Sequence, residues 1–163
     1  MTPHAEFNPT MPRLDGQVAL VTGASRGLGR AFARILAAAG VTVAVAARSA
    51  AGVRTTAEEI RAQGCRAAAY ELDVTDGAAV AQVVAAVTRD LGPIDLLVNN
   101  AGIMAPMGPD WLVDRDAWWR TFEVNVLGSF LCAQAVLPAM ITRERGRIIN
   151  ISSPAASGAS GYA

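Results

Sequence analysis

The stretch from Val18 to Gly29 narrows the fold most: an apolar run ends in a glycine-rich turn and a helical pattern starts at once. Val18 to Val21 reads as a strand buried on both faces, as central strands of parallel sheets are. The turn carries glycines at 23, 27 and 29. Leu28, Ala31, Phe32, Ile35, Leu36 and Ala39 then recur at helical spacing, which predicts the buried face of a first helix. Strand, glycine turn and helix start, in this order, hold a nucleotide pyrophosphate. Glycine lets the backbone come close, and unpaired N–H groups at the helix start attract the anion. A ligand-free strand–helix turn gives the same pattern, so the rest of the chain has to decide between the two.

The alternation continues. Val41 to Ala47, Cys65 to Leu72, Ile94 to Val98 and Arg147 to Ser153 read as further strands. Ser49 to Gln63 reads as a second helix with Val53, Ala57 and Ile60 on one face. Asp76 caps a third helix that buries Val80, Val83, Val84, Val87 and Leu91 and stops at Gly92-Pro93. Asp114 or Asp116 caps a long helix reaching about Leu137, with Pro138 marking its exit. Five strand-like and four helical runs predict an α/β fold: an open, doubly wound parallel sheet with right-handed crossovers and helices on both faces.

The turn is not the usual G-x-G-x-x-G but Thr22-Gly23-x-x-x-Gly27-x-Gly29. Asp73-Val74 follows the third strand, Asn99-Asn100-Ala101-Gly102 follows the fourth, Asn125 lies mid-helix, and Ser152-Ser153 end the fifth strand. In this order and spacing the chain resembles the short-chain dehydrogenase/reductase family from about Leu14 to its last residue. The resemblance implies a Rossmann-like NAD(P)-binding domain over residues 14–163. It implies an oxidoreductase that moves a hydride between nicotinamide and a carbonyl or alcohol substrate. Carried over position by position, the cofactor-binding residues are Thr22, Gly23, Ser25, Arg26, Gly27, Leu28, Gly29, Arg48, Asp73, Val74, Asn100, Ala101 and Gly102. Asp73 would touch the adenine ring; read from the residues alone, it is equally a helix-entry turn residue. Asn125 would hold a water in the proton relay; its alternative is a core amide bonded to backbone. Ser153 would hydrogen-bond the substrate carbonyl and stabilise developing charge.

The second strand bears on cofactor choice. A carboxylate about 20 residues past a glycine turn bonds the 2′-hydroxyl of NAD and repels the 2′-phosphate of NADP. Here Ala47 and then Arg48 stand in that region, and no Asp or Glu appears before Glu58. Arg48 offers a planar partner for a phosphate, Arg26 is a second candidate, and Arg54 a weaker one. NADP(H) is therefore expected in preference to NAD(H).

One departure stands out. The family carries a Tyr-x-x-x-Lys motif after the serine, yet all fourteen basic residues here are arginine. Tyr162 lies nearer to Ser153 than that motif requires. An unassisted tyrosine, with a pKa near ~10, is a poor acid–base at neutral pH. The expectation is a C-terminally truncated domain lacking the family's last strands and helices. Its fifth strand or that strand's flank would expose apolar surface and unpaired backbone. The alternatives to a working oxidoreductase are a non-catalytic NADP-binding module and a nonfunctional fragment.

Composition sets the remaining bounds. At 163 residues, 52% of them hydrophobic, the chain suits one domain with a sizeable core. A net charge of zero favours neither nucleic acid nor acidic lipid. No apolar run reaches the ~18 residues of a membrane helix, so no membrane partner is expected. Residues 1–13 read as a flexible tail without signal-peptide character, and His4, the one histidine, lies in it. Cys65 and Cys132 lack metal or redox spacing and read as buried small hydrophobes in a reducing, cytoplasmic setting. No metal site is expected. Trp118, Phe122, Val126, Phe130 and Ala133 trace an apolar stripe read as core or interface. The family resemblance makes the helix 116–137 a surface for homo-oligomer assembly.

Overall fold

A computed structural model describes residues 13–104, 106 and 108–153. Its five strands are β1 (Val18–Thr22), β2 (Thr42–Ala47), β3 (Ala67–Glu71), β4 (Leu96–Asn99) and β5 (Arg147–Asn150). They form one parallel sheet in the order β3-β2-β1-β4-β5. The helices are α1 (Gly27–Ala38), α2 (Ala50–Ala62), α3 (Gly77–Leu91), α4 (Arg115–Phe122) and α5 (Gly128–Thr142). A π-helical turn, Glu123–Leu127, joins the last two.

Strand alternation divides the core into two layers. Ala19, Val21, Val43, Val45 and Val98 face one side and pack with Ala33 and Ala37 of α1 and Val53, Ala57 and Ile60 of α2. Leu20, Ala44, Ala46 and Leu97 face the other and pack with Val80, Val83 and Val87 of α3 and Cys132, Val136 and Met140 of α5. The chain leaves β1 toward β2 and β3, then returns to set β4 on the opposite side of β1. That reversal opens a crevice at the carboxyl ends of β1 and β4, where ligands bind in doubly wound sheets.

Several expected boundaries and faces shift. The strand expected from Cys65 starts at Ala67, and Cys65 is half-buried in the connection before it, not fully buried. The α1 face is rotated from the one periodicity suggests. Gly29, Ala33 and Ala37 turn inward, while Leu28 and Ile35 are exposed and Phe32 and Leu36 are half-buried. Small residues face the sheet because α1 starts directly from the β1 turn and lies too close for larger side chains.

Pro138 lies inside α5 instead of ending it. Proline forgoes one backbone bond there, at a cost of about 3 kcal/mol in a helix interior. Tertiary anchoring beyond it offsets that loss. Met140 is buried, Arg143 donates to the Asp95 carboxylate (2.9 Å), and its second nitrogen donates to the Ile94 carbonyl (2.7 Å). Asp95 is itself buried and accepts the Val18 N–H at 3.1 Å, so one carboxylate joins the starts of β1 and β4 to the end of α5.

The helical stretch Arg115–Thr142 is 28 residues long with a mean hydropathy of 1.7 over its most apolar window, enough by length and composition to cross a bilayer. This corrects the expectation that nothing here reaches membrane length; Asn125, Ser129 and Gln134 interrupt the run without lowering its average enough. In the fold Val124, Gly128, Cys132, Val136 and Met140, spaced four apart, bury against the rest of the domain. The stripe Trp118, Phe122, Val126 and Phe130 is exposed, which removes it from the core. At the sheet edge Ile149 and Ile151 of β5 and its exit are also exposed, as expected for that flank.

Candidate functional site

Three side chains lock the crevice. The Thr22 hydroxyl at the end of β1 donates to the Val98 carbonyl (3.3 Å) and accepts the N–H groups of Asn100 and Ala101 (3.0 Å each). Asn100 returns the tie, its side-chain amide donating to the Thr22 carbonyl at 2.9 Å. Asn99 bonds the Ser129 carbonyl (3.1 Å) and the Asn150 side chain (2.9 Å), joining β4 to α5 and β5. The glycine turn and the Asn-Asn-Ala-Gly stretch, 78 positions apart, are thus one hydrogen-bonded unit.

Gly29 shows why the turn is glycine-rich. A Cβ there would lie 2.5 Å from both the Asn100 amide nitrogen and the Gly23 carbonyl, so a side chain would drive α1 off the β4 end. Gly27 has a φ of +57° and nothing within 4 Å of where its Cβ would stand. The backbone there is left-handed and bare toward the crevice.

Helix α1 starts unlike its neighbours. Ser49, Asp76 and Asp114 cap α2, α3 and α4 with side-chain oxygens, whereas Arg26 at the start of α1 makes no side-chain cap. The first N–H groups of α1 remain available to an anion.

The crevice encloses about 550 Å³, within the range of small-molecule and cofactor sites. Gly23, Ser25, Arg26, Gly27, Leu28, Gly29, Arg48, Asp73, Val74, Asn100, Ala101 and Gly102 all line it. Of the cofactor residues expected from sequence, Thr22 alone does not line it. It is buried behind the wall and positions Asn100 and Ala101 instead of facing a ligand.

Asp73 sits in the wall with its Oδ1 accepting the Thr75 N–H (3.0 Å) and hydroxyl (2.7 Å) and its Oδ2 accepting Arg120 (3.1 Å). Partial burial pushes its carboxyl up, but the Thr75 donors and the charges of Arg120 and Arg48 together hold it below the usual carboxylate range. Asp73 is therefore ionised at neutral pH.

The two expected catalytic residues fall outside the crevice lining. Asn125 lies in the π-turn, its Oδ1 accepting the Ile103 N–H and its Nδ2 donating to the Ile103 carbonyl, both at 2.9 Å. The amide is bonded to backbone, as its alternative reading holds, but it is exposed, not in the core. Its neighbours Val124 and Ile103 do line the crevice. A π-turn is rare and tends to occur where a helix serves a site. Ser153 is exposed just beyond β5. Tyr162 and His4 lie outside the described residues, as does most of the N-terminal tail.

Sequence reasoning missed Ser49, Gly52, Leu72 and Val124 in the wall, and Arg30 behind it. Arg30 donates to the Ser25 carbonyl at 2.6 Å and pairs with Glu59 of α2 at 3.3 Å, tying back the glycine turn. Among the described residues no group of three metal-ligating side chains converges.

The sequence profile of the short chain dehydrogenases matches residues 17–163. The chain belongs to the short-chain dehydrogenase family. Gluconate 5-dehydrogenase from Gluconobacter oxydans is 43% identical over 148 residues, covering 90% of this chain and 57% of that enzyme. The crystal structure of a gluconate 5-dehydrogenase from Burkholderia cenocepacia, in complex with NADP and tartrate, superposes with a TM-score of 0.85 at 39% identity. It matches 90% of this chain and 57% of its own. An NAD+-bound xylitol dehydrogenase superposes with a TM-score of 0.86 at 36% identity, over 89% of this chain and 56% of that one. The chain spans about half the length of the curated family members it matches first.

Proposed function

We propose that this chain carries the cofactor half of an NADP-preferring oxidoreductase, which moves a hydride between nicotinamide and a carbonyl or alcohol group of a small molecule. The observation that supports this most is the end of β2. Ala47 and Arg48 line the crevice where a carboxylate would select NAD, and Arg26 lines the same crevice. Among the described residues Arg48 takes part in no hydrogen bond or salt bridge and faces Asp73 only electrostatically, so its planar guanidinium suits a phosphate dianion.

The bare turn at Gly27 and the uncapped start of α1 suit a pyrophosphate. Asp73, held ionised, accepts a bond from an amino group on a purine. Bound nicotinamide supplies the hydride acceptor or donor. Ser153 donates its hydroxyl to the substrate carbonyl oxygen and stabilises the charge that grows there. Asn125 steadies the Ile103 backbone at the crevice wall and serves the proton relay from the π-turn. The reaction takes place in the cytoplasm, where thiols such as Cys65 and Cys132 stay reduced. The exposed Trp118–Phe122–Phe130 face suits assembly with a second copy.

Replacing Ala47 by Asp tests the cofactor choice. NADPH affinity is expected to fall and NADH affinity to rise, read by cofactor fluorescence; an unchanged ratio counts against the role given to the β2 end.

A further inference from the structure

Arg120 of α4 lies outside the crevice lining and outside the residues the family resemblance marks, yet it reaches the crevice wall. Its Nη2 donates to Asp73 Oδ2 at 3.1 Å. Its Nη1 donates to the Thr75 hydroxyl and to Glu123 Oε2, each at 3.1 Å. Thr75 in turn donates its hydroxyl to Asp73 Oδ1 at 2.7 Å. Asp73, Thr75 and Arg120 therefore close a hydrogen-bonded ring that engages both carboxylate oxygens, fixes the carboxylate plane and leaves one lone pair of Oδ2 to accept a further bond. Glu123, the first residue of the π-turn, extends the ring toward Asn125 two positions on. Arg120, Asp73 and Glu123 are each about one-third exposed, with side-chain exposures of 37%, 36% and 34%. Solvent weakens the attraction at that exposure, and the fork geometry sets the orientation.

A second cation faces the same carboxylate. Arg48, at the end of β2, lines the crevice with Asp73 and interacts with it electrostatically. An Asp73 without Arg120 would have Arg48 as the cationic partner that remains to it. Resting on the cofactor reading above, we propose that Arg120 is a positioning residue for cofactor recognition. By holding Asp73 it fixes the acceptor in the crevice wall and leaves Arg48 for the 2′-phosphate.

The test uses the 163-residue chain and its R120M, R120K, D73N and R120M/D73N variants, with folding checked by circular dichroism. Dissociation constants for NADPH and NADH are read by cofactor fluorescence. The Asp73 carboxyl is titrated by carbon NMR without nucleotide. R120M is expected to weaken NADPH about five- to tenfold and NADH by a smaller factor. R120K should recover only part of the loss, since an ammonium cannot reproduce the planar fork. In the D73N background R120M should change nothing further, and the Asp73 midpoint should rise in R120M. The proposal is overturned alone if the parent binds NADPH while R120M leaves both constants within about twofold and the Asp73 midpoint unmoved. It is also overturned if the R120M effect persists in D73N. A folded parent that binds neither nucleotide overturns the cofactor reading and this proposal with it. Should R120M not fold, R120K decides: parent-like constants and an unmoved Asp73 midpoint overturn the proposal.

Discussion

The centre of the sheet and its β5 edge both carry β-branched apolar residues but are covered very differently. β1 and β2 are buried along their whole length between α1 and α2 on one face and α3 and α5 on the other. β5 has one half-buried residue, and the helical stretch from α4 to α5 leaves Trp118, Trp119, Phe122, Val126 and Phe130 in solvent. The crevice residues with the strongest cofactor character sit on the centre; Asn125 and Ser153 sit on the edge side. On the reading proposed above, gripping a nucleotide and moving a proton would fall to regions of unequal burial. The crevice is held by interlocked side-chain-to-backbone bonds, whereas Asn125 and Ser153 stand beside exposed apolar surface.

That comparison breaks most readily in the core. Leu20→Ala, which empties a fully buried site in β1, should cost about 2–5 kcal/mol in chemical unfolding. Ile149→Ala in β5, at 40% exposure, should cost less than about 1 kcal/mol. Equal losses would mean that the two regions are equally packed.

Gly29→Ala comes next. Its methyl group would meet the Asn100 amide and the Gly23 carbonyl, so a loss of about 1–3 kcal/mol is expected, together with weaker nucleotide binding. A variant with parent-like stability and affinity would show that the α1 start can move away without consequence.

Cysteine labelling sharpens the comparison at the smallest scale. Burial pushes the Cys132 thiol up to about 11, so near pH 8 it is protonated as well as covered. Cys65, half-buried, should react with a thiol reagent first. Fast labelling of Cys132 in the native chain would mean that α5 opens from the sheet far more often than a packed helix does.

Much of this was legible in the sequence because local pattern and tertiary need agree there. The alternating runs gave the parallel sheet, and the glycine turn and the Asn-Asn-Ala-Gly stretch marked the two chain segments that meet at the crevice. Periodicity misplaced the α1 face because it ranks Leu28 and Ile35 by hydrophobicity, while the short distance to the sheet selects Gly29, Ala33 and Ala37. Pro138 was misread because the anchors that carry the helix past it, Asp95 with Arg143, lie 48 positions apart. Arg30 and Arg120 carried no local signal: each looks like a surface arginine until the fold brings its partner close. Thr22 was recognised as part of the motif, but its role lies behind the wall, which only the register of β1 against β4 discloses.

The central claim is that the crevice at the β1–β4 reversal holds a dinucleotide and reads its 2′-phosphate. The most direct measurement is a titration of the 163-residue chain with NADPH and NADH, followed by cofactor fluorescence. The expected result is micromolar binding of NADPH with NADH weaker by at least about tenfold, a difference of about 1.4 kcal/mol. Equal affinities would contradict the reading of Arg26 and Arg48, and a folded chain that binds neither would contradict the claim itself.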